Sequence, residues 1–186
     1  LLDRGADINA VNNAGQTALM RAGESASVAA IRLLLDRGAD IDAANNDGKT
    51  ALMYAAKCVY GEFVAAVQLL LDRGADIDAV DHTGKTALMY AAAEGHAKVV
   101  QLLLDSGADI DAVDNAGETA LIRAGKYSSI EAMHVLIDNG ADIDAVDNDG
   151  KTALMRARLH GSTEAVQLLL DRGADINAVN NAGQTA

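Results

Sequence analysis

One six-residue string constrains the fold of this chain more than any other feature of its sequence. The string Gly-Ala-Asp-Ile-Asp/Asn-Ala occurs six times in 186 residues, with copies that begin at Gly5, Gly38, Gly74, Gly107, Gly140 and Gly173. Successive copies are 33 residues apart, except for one interval of 36. A period of this length predicts a tandem array in which each repeat packs only against its neighbours. We therefore treat 1–186 as a single array with complete repeats at 11–43, 44–79, 80–112, 113–145 and 146–178, and partial repeats at 1–10 and 179–186.

The third repeat shows the pattern that each repeat follows. Thr86 is suited to a helix N-cap, because its hydroxyl oxygen can accept a backbone N–H, and the apolar run at 87–92 predicts a first short helix. A second apolar run, at 99–104, predicts another helix, and Gly107 suits the left-handed position that ends it. Both helices are shorter than the roughly 12–15 residues that an isolated helix needs in water. Stability is thus expected to come from the stacking of each repeat on the next.

These repeats resemble the ankyrin repeat over essentially the whole chain. The third repeat is the best match, with the strings DHTGKTALM at 81–89, AAAEGH at 91–96 and LLLDSGADIDA at 102–112. The resemblance implies an all-α solenoid of stacked helix-turn-helix units with short β-hairpin-like finger loops. It also implies a non-catalytic module that binds proteins and uses no cofactor.

The chain departs from the family pattern at two positions of every repeat. The family's proline is replaced by alanine, at Ala18, Ala51, Ala87, Ala120 and Ala153. The family's histidine is replaced by an apolar residue, at Met20, Met53, Met89, Ile122 and Met155. Alanine is the best helix former, so the helices should persist, and the apolar replacements predict apolar packing in place of a polar link between repeats.

The second repeat has three extra residues within 57–63. We interpret them as a longer turn between the two helices of that repeat. Tyr60 and Phe63 are then the residues best placed to form a local protrusion or a pocket of their own.

A second, longer period is also present. Residues 1–18, LLDRGADINAVNNAGQTA, are identical to residues 169–186, an offset of 168. The internal repeats do not agree this closely, so the simplest interpretation is a five-repeat cassette that recurs every 168 residues. The sequence begins inside a second helix and stops two residues into a first helix, and neither end carries a polar capping repeat. We therefore expect a segment of a longer array, or a chain that stacks end to end with its own copies; an arbitrary boundary or a designed sequence is the alternative.

Charge and composition argue against several classes of partner. The net charge of −12 opposes binding to nucleic acid or to anionic lipid surfaces. No apolar run approaches the roughly 18 residues of a membrane span, and the first residues have no basic segment of a signal peptide. The single cysteine, Cys58, is compatible with a reducing compartment such as the cytoplasm. No phosphate-binding loop or nucleophile–base motif suggests a small-molecule substrate.

Recurring Asp-x-Asp pairs admit two interpretations. In an extended segment each pair could present two carboxylates to calcium, with a third at Asp81, Asp114 or Asp147. In the family's loop, the first aspartate would instead bond local backbone groups and the second would lie on a solvated face. We favour the loop and expect no metal, since the glycine and bidentate glutamate of calcium loops are missing and the four histidines have no zinc-ligand spacing. The pairs are Asp40/Asp42, Asp76/Asp78, Asp109/Asp111 and Asp142/Asp144.

One variable position of each first helix forms a candidate partner-binding row, composed of Arg21, Tyr54, Tyr90, Arg123 and Arg156. Tyrosine and arginine are enriched among the interface residues that contribute most to binding energy. The alternative is that the arginine stems cover the helix while their heads pair with the abundant aspartates. The resemblance also implies contact positions at finger tips and first-helix ends, which include Glu24, Lys49, Lys57, His82, Lys85, Glu94, Tyr127, Lys151 and His160.

Two functions follow from these features. The first is a scaffold that mediates protein–protein interaction through the concave face of the array. The second is a structural protein whose cassettes stack end to end, within one chain or between chains, into an extended superhelical filament.

Overall fold

The computed structural model describes residues 7–186, which form ten α-helices and no β-strand. The predicted all-α fold is thus confirmed, and the finger loops are hydrogen-bonded turns without strands. Residues 1–6, which include the first two residues of the copy of the repeated string that begins at Gly5 and most of the partial repeat 1–10, lie outside the described residues. The helices are α1 Ala18–Glu24, α2 Val28–Asp36, α3 Ala51–Lys57, α4 Phe63–Asp72, α5 Ala87–Ala93, α6 Ala97–Asp105, α7 Ala120–Tyr127, α8 Ile130–Asp138, α9 Ala153–Leu159 and α10 Thr163–Asp171.

The first helix of a repeat begins at a threonine cap, as predicted. The Thr17 hydroxyl oxygen accepts a hydrogen bond from the backbone N–H of Met20, at 3.3 Å. The same cap starts α3, α7 and α9, at Thr50, Thr119 and Thr152. The second helix of a repeat ends before a glycine in the left-handed region, as at Gly107 with φ +94°. Residues with a Cβ rarely adopt this conformation, whereas glycine adopts it readily. The glycine therefore marks the turn that leads into the finger.

The chain divides into two compact bodies, Leu1–Ala87 and Leu88–Ala186. In the first body α1 packs against α2 and α3, and α4 packs against α2 and α3. In the second body α7 packs against α8 and α9, while α8 also packs against α6 and α10. Within each body, then, one helix pair stacks on the next. Among residues 7–186, no helix has both the length and the apolar content to span a bilayer.

The cores of both bodies are built from small and aliphatic side chains. Ala55 and Ala66 in the first body and Ala124 and Ala132 in the second are fully buried. These small side chains allow the helices to approach closely. The apolar residues that replace the family's histidine are 1–3% exposed, which confirms the predicted apolar packing: Met20, Met53, Met89, Ile122 and Met155.

The insertion in the second repeat lengthens both a loop and a helix. Residues 58–62 connect α3 to α4, five residues where the connection between α1 and α2 has three, 25–27. The remaining extra residue lengthens α4, which has ten residues where α2 has nine. Tyr60 protrudes as predicted, with 79% of its surface exposed. Phe63 is instead the half-buried first residue of α4.

Candidate partner-binding surface

Each finger loop is closed by an Asn or Asp side chain at its base, which we call the base residue. Oδ1 of Asn45 accepts hydrogen bonds from the backbone N–H groups of Asp47, at 3.0 Å, and Lys49, at 2.8 Å. Asp114 and Asp147 close the fingers of the fourth and fifth repeats in the same way. The three base residues are 4–6% exposed, so their primary role is to hold the finger in shape.

The Asp-x-Asp pairs are engaged by backbone groups. Oδ1 of Asp40 accepts the N–H of Asp42, at 3.2 Å, within a turn rather than the extended segment that the calcium hypothesis assumed. Oδ1 of Asp42 accepts the N–H of Asp76 in the next repeat, at 2.9 Å. Asp111 and Asp144 make the same bond to the repeats that follow them. The loop interpretation holds for the first aspartate, but it was incomplete for the second, which also links neighbouring repeats.

These carboxylates do not converge on a cation. Among residues 7–186, no group of three or more His, Cys, Asp or Glu side chains has a metal-binding arrangement.

In the second repeat the candidate row links two fingers through a neutral network. The hydroxyl oxygen of Tyr54 accepts hydrogen bonds from Nε2 of Gln16, at 2.9 Å, and from Nδ2 of Asn45, at 3.0 Å. Gln16 belongs to the finger of the first repeat, and Asn45 is the base residue of the second. Tyr54 therefore joins its own finger to the preceding one.

In the fourth and fifth repeats the row is part of a charged network. Nη1 of Arg123 lies 3.0 Å from Oε2 of Glu118 and 3.3 Å from Oδ2 of Asp114. Oε1 of Glu118 accepts a hydrogen bond from Nζ of Lys126, at 2.9 Å, and lies 3.5 Å from Nη2 of Arg156. Glu118 is only 3% exposed, so one buried carboxylate holds three cationic side chains from two repeats.

Arg156 and Arg123 fill different places in this network. Nε of Arg156 donates to Oδ2 of Asp147, the base residue of its own finger, at 2.8 Å, and its Nη2 contacts the same oxygen. Arg123 is 6% exposed, and Nε of Arg123 has no acceptor among the residues that the structure describes. Both heads pair with aspartate, as the alternative interpretation of the row predicts. Arg21 is exposed and pairs with Glu24 instead.

The predicted contact residues differ in accessibility. The structure leaves exposed Arg21, His82, Glu94, Tyr127 and His160; it half-buries Lys49, Tyr54, Lys85, Tyr90, Lys151 and Arg156; and it buries Arg123. Tyr127 lies beside the charged network, with its ring centroid 5.9 Å from both Cζ of Arg123 and Nζ of Lys126. Partner binding by these residues remains a prediction, and Arg123 offers the least surface for it.

One carboxyl group in the finger of the fifth repeat, that of Asp149, has a shifted pKa. Nζ of Lys151 donates a hydrogen bond to Oδ2 of the exposed Asp149, at 3.0 Å. This hydrogen bond and the positive charge of Lys151 hold the pKa of Asp149 below its ordinary value, and Arg156 adds a smaller contribution in the same direction.

The insertion opens a cavity in the first body. Its volume is about 220 Å³, and it is lined by Glu24, Tyr54, Lys57, Cys58, Val59 and Tyr60. Sγ of Cys58 lies 3.1 Å from the carbonyl oxygen of Glu24 and 3.2 Å from that of Tyr60, which ties the insertion loop to the end of α1. Across the cavity, the loop faces Tyr54 of the candidate row.

A comparison with protein-family models finds four matches described as ankyrin repeats (3 copies), at residues 1–81, 44–114, 59–147 and 111–180. The chain belongs to the ankyrin-repeat family. Ankyrin repeats are generally protein–protein interaction modules, and the family is typically non-catalytic. No curated protein sequence is significantly similar to the chain.

Within this ankyrin-repeat chain, the sequence analysis missed two lining residues of the cavity, Cys58 and Val59. The three-residue departure from the repeat period was the signal that could have identified them. It also missed the central role of Glu118, which only the position of Arg156 in the next repeat reveals.

Proposed function

We propose that this ankyrin-repeat chain is a non-catalytic scaffold that binds a polypeptide partner at the insertion of its second repeat. The observation that carries the proposal is the cavity of about 220 Å³ between Tyr54 and the protruding Tyr60. Tyrosine is enriched among the residues that contribute most to binding energy at interfaces. Because Tyr60 is 79% exposed, most of its surface is available for a partner to bury.

The size of the cavity and the net charge of the chain indicate the kind of partner. Pockets for drug-sized ligands measure roughly 300–1,000 Å³, so this cavity is better suited to a single large side chain of a protein. The net charge of −12 attracts basic segments. We therefore expect the partner to present an apolar or aromatic side chain flanked by Lys or Arg.

The environment of Cys58 supports a non-catalytic role. Cys58 is 7% exposed as a residue, and the hydrogen-bond partners of its thiol are two backbone carbonyl oxygens rather than a base. A nucleophilic cysteine needs access and a neighbouring group that stabilises the thiolate.

Peptide selection tests this function, because a random library samples many partner sequences at once. A displayed peptide library is selected against the chain, and the affinity of enriched peptides is measured by calorimetry. Tyr60→Ala should weaken binding by about 1–2 kcal/mol, roughly 5–30-fold, if Tyr60 is a central contact. Val113→Ala is the control, since Val113 is also exposed but lies outside the cavity and is not one of the predicted contact residues. Enriched peptides that bind both variants like the wild type would contradict the proposal.

A second function, a structural array of cassettes, is favoured by the identity of residues 1–18 and 169–186. A chain extended after Ala186 by a further copy of residues 19–186 tests it. If cassettes continue into one another, the extended chain should melt in a single transition at a higher temperature than the 186-residue chain, because the added repeats contribute new interfaces. Two independent transitions, one of them at the original melting temperature, would reject the array.

A further inference from the structure

An exposed valine recurs at the same position of the finger loops. It immediately precedes the base residue in five of the six fingers, whereas the second repeat has an exposed alanine there, Ala44. The five valines are 54–61% exposed: Val11, Val80, Val113, Val146 and Val179. Apolar residues scattered singly over a surface are common, but a contiguous apolar patch marks an interaction site, so the arrangement of these valines decides their meaning.

The neighbouring repeats do not cover this position. Val146 lies between two other fingers of the second body, to which its own finger is hydrogen-bonded. The N–H of Asn148 donates to the carbonyl oxygen of Ala116 on one side, and the N–H of Asn181 donates to that of Asp149 on the other, both at 3.0 Å. Val146 is nevertheless 54% exposed, close to the 61% of Val179 in the last finger. The exposure of the valine is therefore a property of every finger and not of an array end.

Three of the valines stand in adjacent fingers of the second body, and we call Val113, Val146 and Val179 the valine strip. Besides the finger bonds of Asn148 and Asn181, a second set of bonds joins the same fingers on the other side of the valines. The N–H of Asp142 donates to Oδ1 of Asp111, at 3.2 Å, and the N–H of Asp175 donates to Oδ1 of Asp144, at 2.9 Å. Each step of the strip is thus fixed by inter-repeat bonds before and after the valine. In the first body the corresponding row is interrupted, because Ala44 separates Val11 from Val80.

The spacing of the strip suits a helix. Since α7 packs directly against α9, successive fingers are separated by about 8–10 Å, the distance between packed helices. A partner helix advances about 10.5 Å in seven residues, and side chains seven residues apart lie on nearly the same side. An extended segment covers this distance in about three residues, which places successive side chains on opposite sides.

The charge around the strip indicates the chemistry of the partner. The loops that lead to the three valines, 105–113, 138–146 and 171–179, contain eight aspartates, all exposed, and a single cation. That cation, Arg172, is paired with Asp138. A second copy of this chain, a nucleic acid or an anionic lipid surface would bring like charge to this face, whereas a basic segment is attracted to it.

We infer that the valine strip docks a basic amphipathic helix of another protein, with an apolar residue at about every seventh position and lysine or arginine beside it. The apolar side chains cover the three valines, and the cations lie near the loop aspartates. The cations of the neighbouring charged network do not oppose this partner, because Lys126 is paired with Glu118 and Lys151 with Asp149. The strip lies in the second body, so this inference does not depend on the cavity of the second repeat.

Two synthetic peptides of equal composition test the spacing. Both are helices of about three heptads built from alanine, lysine and three leucines. In the spaced peptide the leucines recur at every seventh residue, and in the shifted peptide at every fifth, which turns them to different sides of the helix. In fluorescence anisotropy at physiological salt, the spaced peptide should bind the full chain with 1:1 saturation and at least about tenfold more tightly than the shifted peptide. The two peptides carry the same charge, so the difference measures the apolar contact.

Paired valine variants locate the contact on the chain. Val113→Thr combined with Val146→Thr keeps the branched shape and replaces one methyl group by a hydroxyl at each position, so we expect the spaced peptide to bind about tenfold more weakly. The matched control combines Val11→Thr with Val80→Thr, which are equally exposed but belong to the interrupted row; it should leave the affinity unchanged. Substitutions at such exposed positions change stability little, and circular dichroism checks that both variants retain their helices.

Several results overturn the inference. They are equal affinities of the two peptides, no saturable binding of the spaced peptide, or an affinity that the strip variant leaves unchanged or that both paired variants lower equally. A dimer of the chain alone that Val113→Thr with Val146→Thr abolishes in sedimentation velocity would identify a second copy as the occupant instead.

Tyr60→Ala separates this surface from the cavity. It should leave the affinity of the spaced peptide unchanged while it weakens peptides that bind the cavity, and the strip variant should do the reverse. If Tyr60→Ala weakens the spaced peptide, that peptide binds at the cavity and docking on the strip is rejected. If cavity peptides are insensitive to Tyr60→Ala while the spaced peptide depends on Val113 and Val146, the cavity proposal fails and the strip stands.

Discussion

At the scale of single residues, two chemically different networks perform the same task. Tyr54 joins Gln16 of the preceding finger to Asn45 of its own finger, and Arg156 joins Glu118 to Asp147. In the first network neutral donors meet a neutral acceptor, and in the second network a cation meets carboxylates. Exchange of a single member would leave a polar or charged group without its partner in a site that water reaches poorly.

Glu118→Ala tests the charged network. It removes the carboxylate shared by Arg123, Lys126 and Arg156, so we expect it to lower the free energy of unfolding by about 3 kcal/mol, as measured by urea denaturation. The control is Glu24→Ala, which removes the partner of Arg21 on an exposed pair and should cost about 0–1 kcal/mol. Equal losses for the two variants would mean that burial gives Glu118 no special role.

The titration of Asp149 gives a second prediction at this scale. Since its pKa in the folded state is lowered, chiefly by the hydrogen bond from Lys151, the side chain contributes stability above its unfolded pKa. That contribution is lost as the pH falls through the folded pKa. In a carboxyl-carbon NMR titration, Lys151→Ala should raise the pKa of Asp149 toward its ordinary value. Lys126→Ala, which removes a lysine paired with Glu118, should leave it unchanged.

At the scale of elements, the sequence was most informative where a structure depends on nearby residues. The threonine caps and the glycines that end the second helices were predictable, because each acts within about four residues of the chain. The division of the insertion between loop and helix was not predictable, since the start of α4 at Phe63 depends on packing as well as local sequence. Nor was the burial of Arg123, which depends on where folding places Asp114 and Glu118 relative to α7.

The close approach of α1 to α3 at Gly23 gives a prediction about the packing of these two helices. A Cβ added to Gly23 of α1 would lie 2.6 Å from the carbonyl oxygen of Ala51, which begins α3. Backbone cannot move aside as a flexible side chain can, so the crowding should outweigh the gain of about 1 kcal/mol in helix propensity. We expect Gly23→Ala to destabilise the chain by about 1–2 kcal/mol in thermal or urea unfolding.

Gly125 of α7 provides the comparison for Gly23. A Cβ added to Gly125 would lie 3.0 Å from the carbonyl oxygen of Ala153, so a shift of a few tenths of an ångström relieves the contact. Gly125→Ala should therefore cost less than Gly23→Ala. The reverse order would show that the α1–α3 contact relaxes more readily than its geometry indicates.

At the scale of the whole molecule, charge acts in two opposite directions. The net charge of −12 disfavours the compact state through mutual repulsion, and added salt weakens that repulsion. Salt also weakens attractive pairs such as Arg73–Asp36 and Arg172–Asp138, but these are partly exposed and each contributes little. The pairs around Glu118 are buried, and buried pairs are screened much less.

Repulsion should therefore dominate the salt response. We expect the melting temperature to rise between low and physiological sodium chloride by about 2–4 °C for each kcal/mol of relieved repulsion. A variant in which Asp72, Asp105 and Asp171 at the ends of second helices are changed to Asn should start at a higher melting temperature and respond less to salt, because it has lost three negative charges next to negative helix ends. If the melting temperature of the wild type falls as salt is added, attractive pairs outweigh the net charge, and the stability of this array depends on its surface ion pairs.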